Sequence, residues 1–155
     1  MNDWPRLTQD EQRELLAVIA VTLLESAPSD WQRIVLEHRQ LGGHIEISVG
    51  LISEDGALRA WTPPQRVWHR FQDLRAGVRE PDRGTWFTAR YTLERPDRFD
   101  VHYEWTAEPE FREPPTVRDY REDWDEFPRT PEHTPAWFRE RLRDAVGDPG
   151  HKACL

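Results

Sequence analysis

Hydrophobic residues recur along this chain with two periods, and the places where one period gives way to the other outline the fold. Leu15, Leu16, Ile19, Leu23 and Leu24 return at intervals of three and four, which gathers them on one face of an α-helix. Thr8 stands where an N-cap is needed and Glu11 falls in the first turn, so a helix is predicted over residues 8–26, stopped by Ala27-Pro28-Ser29-Asp30. Residues 31–40 are rich in β-branched and apolar side chains and read as a strand, and Gly42-Gly43 turns the chain into a second one. In that second strand His44, Glu46 and Ser48 point one way while Ile45, Ile47, Val49 and Leu51 point the other.

Glu54-Asp55-Gly56 marks a further turn, leading to a short strand over residues 58–61 that Pro63 and Pro64 end. Helical spacing returns over residues 64–78, where Val67, Phe71, Leu74 and Val78 form a narrow stripe beside Trp68 and Pro64 lies near the first helical position. After a loop over residues 80–84, two strands are predicted at 85–93 and 98–105, joined by Glu94-Arg95-Pro96-Asp97 and therefore antiparallel. The second alternates Phe99, Val101, Tyr103 and Trp105 with Asp100, His102 and Glu104.

The six prolines in residues 106–135 exclude long regular elements there. Phe111, Tyr120, Trp124 and Phe127 are too many large rings for a solvated linker, so the segment is expected to lie as an ordered strap over the domain. Thr134-Pro135 then caps a last helix over residues 136–146, with Trp137, Phe138 and Leu142 facing the core. The sum is an α+β fold: an antiparallel sheet of about five strands with helices on one face, in the order α-β-β-β-α-β-β-α. The helices are expected to cover the face carrying Ile45, Ile47, Val49, Phe99, Val101 and Tyr103.

Composition narrows the function. A chain of 155 residues with eight Trp, six Phe and three Tyr makes one domain with a core of its own. Its expected extent is residues 1–146, strap included, with a flexible tail over residues 147–155. The lone cysteine, Cys154, cannot form an internal bridge and lies in that tail without a held base, so neither a disulfide framework nor a thiol nucleophile is expected. The first residues lack the positive-then-apolar order of a signal peptide, and the apolar run over residues 15–24 is too short to span a bilayer; a cytoplasmic protein without membrane attachment is expected. Residues 94–126 hold twelve Asp or Glu against five Arg, a balance of −7 where the whole chain carries −8. That sign disfavours direct nucleic-acid binding and favours a basic macromolecule.

The sequence contains no nucleophile elbow, phosphate-binding glycine loop, zinc-finger spacing or helical His-Glu zinc signature, and no cofactor, metal site or catalytic residue is assigned. Two constellations remain. His44, Glu46, Arg90, Asp100, His102 and Glu104 share the polar side of the strands and would gather if the second and last strands came together; an enzyme or metal-binding protein built on His44, His102 and Glu104 is the alternative this allows, although alternation alone also explains it. The other is the acidic run over residues 119–127, which is either a solvated face or a binding surface. As a binding surface, Tyr120 and Trp124 are its anchors and Asp119, Glu122, Asp123, Asp125 and Glu126 its steering and pairing charges. The order of a calcium-binding loop is missing from it.

The N-terminal helix ending near Pro28, the segment Asp30-Trp31-Gln32-Arg33-Ile34-Val35-Leu36-Glu37 and the late pair of strands over residues 86–93 and 98–105 together resemble the YezG-like family of bacterial immunity proteins. The resemblance covers residues 15–127 as a pattern and departs from the family in the proline-rich strap and in residues 127–139. It implies an antitoxin that binds a cognate secreted toxin, commonly a nuclease in that family, with no catalytic residues to carry over, and it leaves the toxin class and the oligomeric state open; the acidic balance adds that the toxin is expected to be basic. A general protein-interaction module is the remaining alternative.

Overall fold

The computed structural model describes residues 6–147; Cys154 and the expected tail beyond Gly147 lie outside the described residues. At the start of α1 (Gln9–Ser26) the Thr8 hydroxyl accepts a hydrogen bond from the Glu11 amide at 3.1 Å and the Glu11 carboxylate accepts one from the Thr8 amide at 3.0 Å. This capping box satisfies two amides that the helix leaves unpaired. The chain continues through β1 (Arg33–Leu41), β2 (His44–Ile52), β3 (Leu58–Ala60), α2 (Gln65–Gly77), β4 (Thr88–Glu94), β5 (Arg98–Glu104), α3 (Val117–Glu126), a short 3-10 turn (Pro131–His133) and α4 (Ala136–Gly147). Among the described residues no helix is long and apolar enough to cross a membrane.

The strands form one antiparallel sheet in the order β3-β2-β1-β4-β5, so the α+β class and the five-stranded sheet are as the sequence predicts. Register decides which side chains share a face: Leu36 stands opposite Val49 on one side and Tyr91 on the other, and Tyr91 opposite Val101. α1 and α2 cover this face, packing Leu16, Ile19, Leu23, Val67, Phe71 and Leu74 against Ile34, Leu36, Leu51, Tyr91 and Leu93. The Tyr91 hydroxyl donates to the Leu16 carbonyl at 2.9 Å and ties the middle of the sheet to α1. Val49, Phe99, Val101 and Tyr103 join this core at its margin as expected, while Ile45 and Ile47 stay half-buried.

The strap differs from expectation, because it contains α3. Its prolines bracket the helix: Pro114 and Pro115 precede it, Pro128 comes after it, and residues 116–127 contain none. Thr116 and Asp119 make a second capping box, with the Thr116 amide donating to the Asp119 carboxylate at 2.8 Å. α3 and α4 then build a smaller core from Tyr120 and Phe138 around Leu41 and Phe87. Leu41 alternates with Gln40 and so points away from α1 and α2. Helices therefore stand on both sides of this end of the sheet, where the sequence pattern predicts them on one face. A bend at Phe87 makes the two cores compatible: Trp86 goes to the first and Phe87 to the second.

Candidate protein-binding surface

The position of α3 depends on one glycine. Gly42, in the β1–β2 turn, has φ +59°, and a Cβ there would lie 2.2 Å from the Asp119 carbonyl oxygen, so only glycine lets the α3 backbone approach this closely. The Gly42 amide donates to Asp123 Oδ1 at 3.0 Å, and the same oxygen meets Arg75 Nη1 of α2 at 2.7 Å. Both side chains of this ion pair are only 2% exposed. Arg75 also donates through Nε to the Trp86 carbonyl at 2.8 Å, and its guanidinium lies 5.3 Å from the centre of the Phe127 ring.

This geometry sorts the seven residues of the acidic run. Asp123 is an internal charge engaged with Arg75, and Tyr120 is 4% exposed, edge-on to Phe138 at 5.3 Å, with burial raising the pKa of its hydroxyl. Neither can be the surface group the sequence suggests. Asp119 serves the helix cap, and Trp124 is half-buried 6.2 Å from Phe138. The physical reason is the helical period: a run read as one acidic face turns by about 100° per residue, so positions three and four apart are carried inward together. Glu122, Asp125 and Glu126 remain at the surface, Glu122 partly engaged by Arg118 Nε at 2.9 Å and Glu126 also engaged.

Glu122 and Glu126 lie one turn apart and line a groove of about 820 Å³ bounded by α1, α2, α3 and the Gly42-Gly43 turn. Across it stand Glu11 and Glu14 of α1 and Asp73 of α2. Its apolar lining is Leu7, Leu15, Val18, Ala76 and Phe127, with Gln40 and Gln72 beside them. Leu7 closes one end: its amide donates to the Gly77 carbonyl at 2.9 Å, and its side chain occupies the space a Cβ on residue 77 would take. Among the described residues, Arg75 is the one cation lining the groove, and it is already paired with Asp123. Five carboxylates therefore line the groove, of which Glu11, Glu122 and Glu126 already have partners of their own.

The second constellation does not assemble. His44 pairs with Glu46 at 2.8 Å on β2, and His102 with Glu104 at 3.0 Å on β5. β1 and β4 separate the two strands, a gap of three strand spacings or about 14 Å. Between the pairs, Arg39 of β1 meets Glu37 at 2.8 Å, and Arg90 of β4 meets Glu37 at 3.4 Å, while Asp100 is exposed. Glu46 has a different task. It accepts the amides of Arg112 and Glu113 at 2.6 and 3.1 Å, and Phe111 sits edge-on to His44 at 4.9 Å, so the strap is tied down here. Burial opposes ionisation of Glu46, but the two amides and His44 outweigh it and lower its pKa. Among the described residues no three His, Cys, Asp or Glu side chains converge into a metal-binding group.

Three structural residues have roles that the sequence pattern does not announce. Arg75 lies four residues after Phe71, inside the buried stripe of α2, and a charge in such a stripe is the signal that would have found it. Arg129 donates to the carbonyls of Trp105 at 2.9 Å, His133 at 3.3 Å and Thr85, with its guanidinium 4.4 Å from the Phe87 ring centre; burial draws its pKa down to about 10. His38 is fully enclosed, stacked on Phe71 at 5.5 Å with Nε2 at 2.9 Å from Gln40 Oε1, and burial pulls its pKa to about 4. Neither Arg129 nor His38 has a local sequence pattern that marks it.

Compared with protein-family models and with curated proteins, the sequence matches none.

Proposed function

We propose that this protein is a cytoplasmic immunity protein that neutralises a basic toxin by binding it. One observation carries the reading: carboxylates from α1, α2 and α3 line a groove together with apolar side chains, on a chain of net charge −8. Such a surface attracts a basic protein over a distance, raises its association rate, and holds it by desolvating apolar contacts once it arrives. The similarity to YezG-like immunity proteins supplies the kind of partner, and the charge supplies its sign. A nuclease must present a positive cleft to phosphates, and a negative protein surface can occupy that cleft in their place. Inhibition then needs no catalytic group on this chain.

The test begins with the tagged full chain as bait in its own organism. The captured protein is then expressed in a sensitive host alone and together with this chain. Toxicity that disappears on co-expression is the expected result. A captured protein that is harmless alone, or that kills regardless, refutes the immunity reading; the harmless case leaves a general interaction module.

A further inference from the structure

The groove specifies the shape of its occupant as well as the sign. Three of its walls are helices, whose backbone amides and carbonyls are already paired within the helices, and the Gly42 amide in the connecting turn is taken by Asp123. The groove therefore offers an incoming chain no ladder of backbone donors and acceptors. An extended peptide would bury its own polar backbone there without partners, whereas a helix arrives with its backbone satisfied. Along α1 the apolar strip continues from Val18, which lines the groove and is 42% exposed, to Val21 outside it, which is 52% exposed. Leu15, Val18 and Val21 follow one another at intervals of three, so the strip runs along the helix, as a docked helix requires.

We infer that the groove between α1, α2 and α3 is the seat of one basic amphipathic helix of the partner, an inference that rests on reading this protein as a binder of a basic toxin. Residues of the Leu, Ile or Met type at i, i+3, i+4 and i+7 would lie on Leu15, Val18, Ala76 and Phe127. Lys or Arg on the flanks of that helix would meet Glu11, Glu14 and Asp73 on one side and Glu122 and Glu126 on the other. A second copy of this chain suits the groove poorly, because it brings a net charge of −8 to a rim of five carboxylates.

The probe is a fluorescein-labelled peptide of about five helical turns, with Leu at helical spacing and Lys or Arg elsewhere, measured by anisotropy against the full chain at physiological salt. A peptide of the same composition with the Leu positions scrambled is the control. The scrambled peptide is expected to bind about tenfold more weakly or worse. Glu14→Lys with Asp73→Lys should weaken the amphipathic peptide by about tenfold or more, and Val18→Lys should do likewise. Asp100→Lys with Glu140→Lys makes the same change in net charge away from the groove and should cost less than about threefold. Equal losses in both reversed pairs, or equal affinity of the two peptides, would overturn the inference, since either would mean unlocalised charge attraction. Toxin neutralisation that survives the groove variants also overturns it while leaving the immunity reading intact. Peptide binding lost only in the groove variants upholds the groove even if the captured partner proves harmless, in which case the immunity reading alone fails.

Discussion

Replacing Asp123 by Asn removes one charge and almost no volume. Its expected effect is set by what is left behind. Arg75 would remain 2% exposed with its Nη1 facing a neutral amide at the position where the carboxylate oxygen now stands, 2.7 Å away. Breaking one side of a buried ion pair costs about 3–5 kcal/mol, because the surviving charge keeps its desolvation penalty and loses its compensation. Arg75 retains the Trp86 carbonyl and three aromatic rings, at 5.9, 6.0 and 5.3 Å, which places the expected loss at the lower end, about 3 kcal/mol. Asp123→Ala additionally strips the Gly42 amide of its acceptor and should cost about 1 kcal/mol more. Equilibrium urea unfolding gives both values from the shift in midpoint at unchanged slope. Asp125→Asn, exposed on the same helix, is the internal control and should stay within about 0.5 kcal/mol of the parent. Joint replacement Arg75→Met with Asp123→Leu should recover most of the loss, since an apolar pair carries no desolvation penalty. If Asp123→Asn unfolds at the parent midpoint, the ion pair does not hold α3.

Stability should also fall with acid through His38. Its folded pKa of about 4 lies below the ordinary 6.5, so the fold prefers the neutral ring; the contribution is complete above pH 6.5 and is lost as pH falls toward 4. The charged groups near the ring are Arg75 and Arg39, and both push in the same direction. The loss should reach about 3 kcal/mol and be absent in His38→Phe; unfolding midpoints of the two proteins that fall in parallel between pH 7 and 4 would exclude His38 as the cause. Gly42→Ala should lower the melting temperature far more than Gly56→Ala, because a Cβ at 42 strikes the backbone of Asp119 whereas nothing lies within 4 Å at 56, although both have positive φ. Equal shifts would show that only backbone strain matters there. Arg129→Met should cost about 3 kcal/mol by leaving three carbonyls without their donor, and a loss under about 1 kcal/mol would mean that water replaces it.

The regular parts of this fold are written locally. Thr8 with Glu11, the alternation from His44 to Leu51, and the stripe Val67-Phe71-Leu74 each declare their element within a few residues. α3 is hidden because its proline neighbours signal irregularity even though they stop short of it on both sides. The acidic run is legible as a segment, but its division into an inner and an outer face depends on α2 and on the β1–β2 turn. Asp123 and Arg75 are 48 positions apart, Asp123 and Gly42 81, and no short-range pattern connects them. The groove is invisible for the same reason: Glu11, Glu14, Asp73, Glu122 and Glu126 become neighbours only after the sheet has brought three helices together. The polar sheet face fails as a site through strand order, which alternation cannot reveal.

α3 has ten residues, fewer than an isolated helix needs to persist in water, so its existence is conditional on docking. It is the wall of the groove with the weakest claim to independent order, while α1 and α2 are secured by the main core. Opening of α3 together with its strap should therefore cost less than global unfolding, and amide hydrogen exchange should resolve it as a separate cooperative unit. An occupant of the groove that touches α3 must close this unit to bind. Its affinity is then spent in part on suppressing the opening, and the slowed exchange should be confined to α3 and the strap. If the groove does hold a partner helix, the wall supplying Glu122 and Glu126 would then act as a latch, shut with the partner in place and the first part of the molecule to yield when it is taken away.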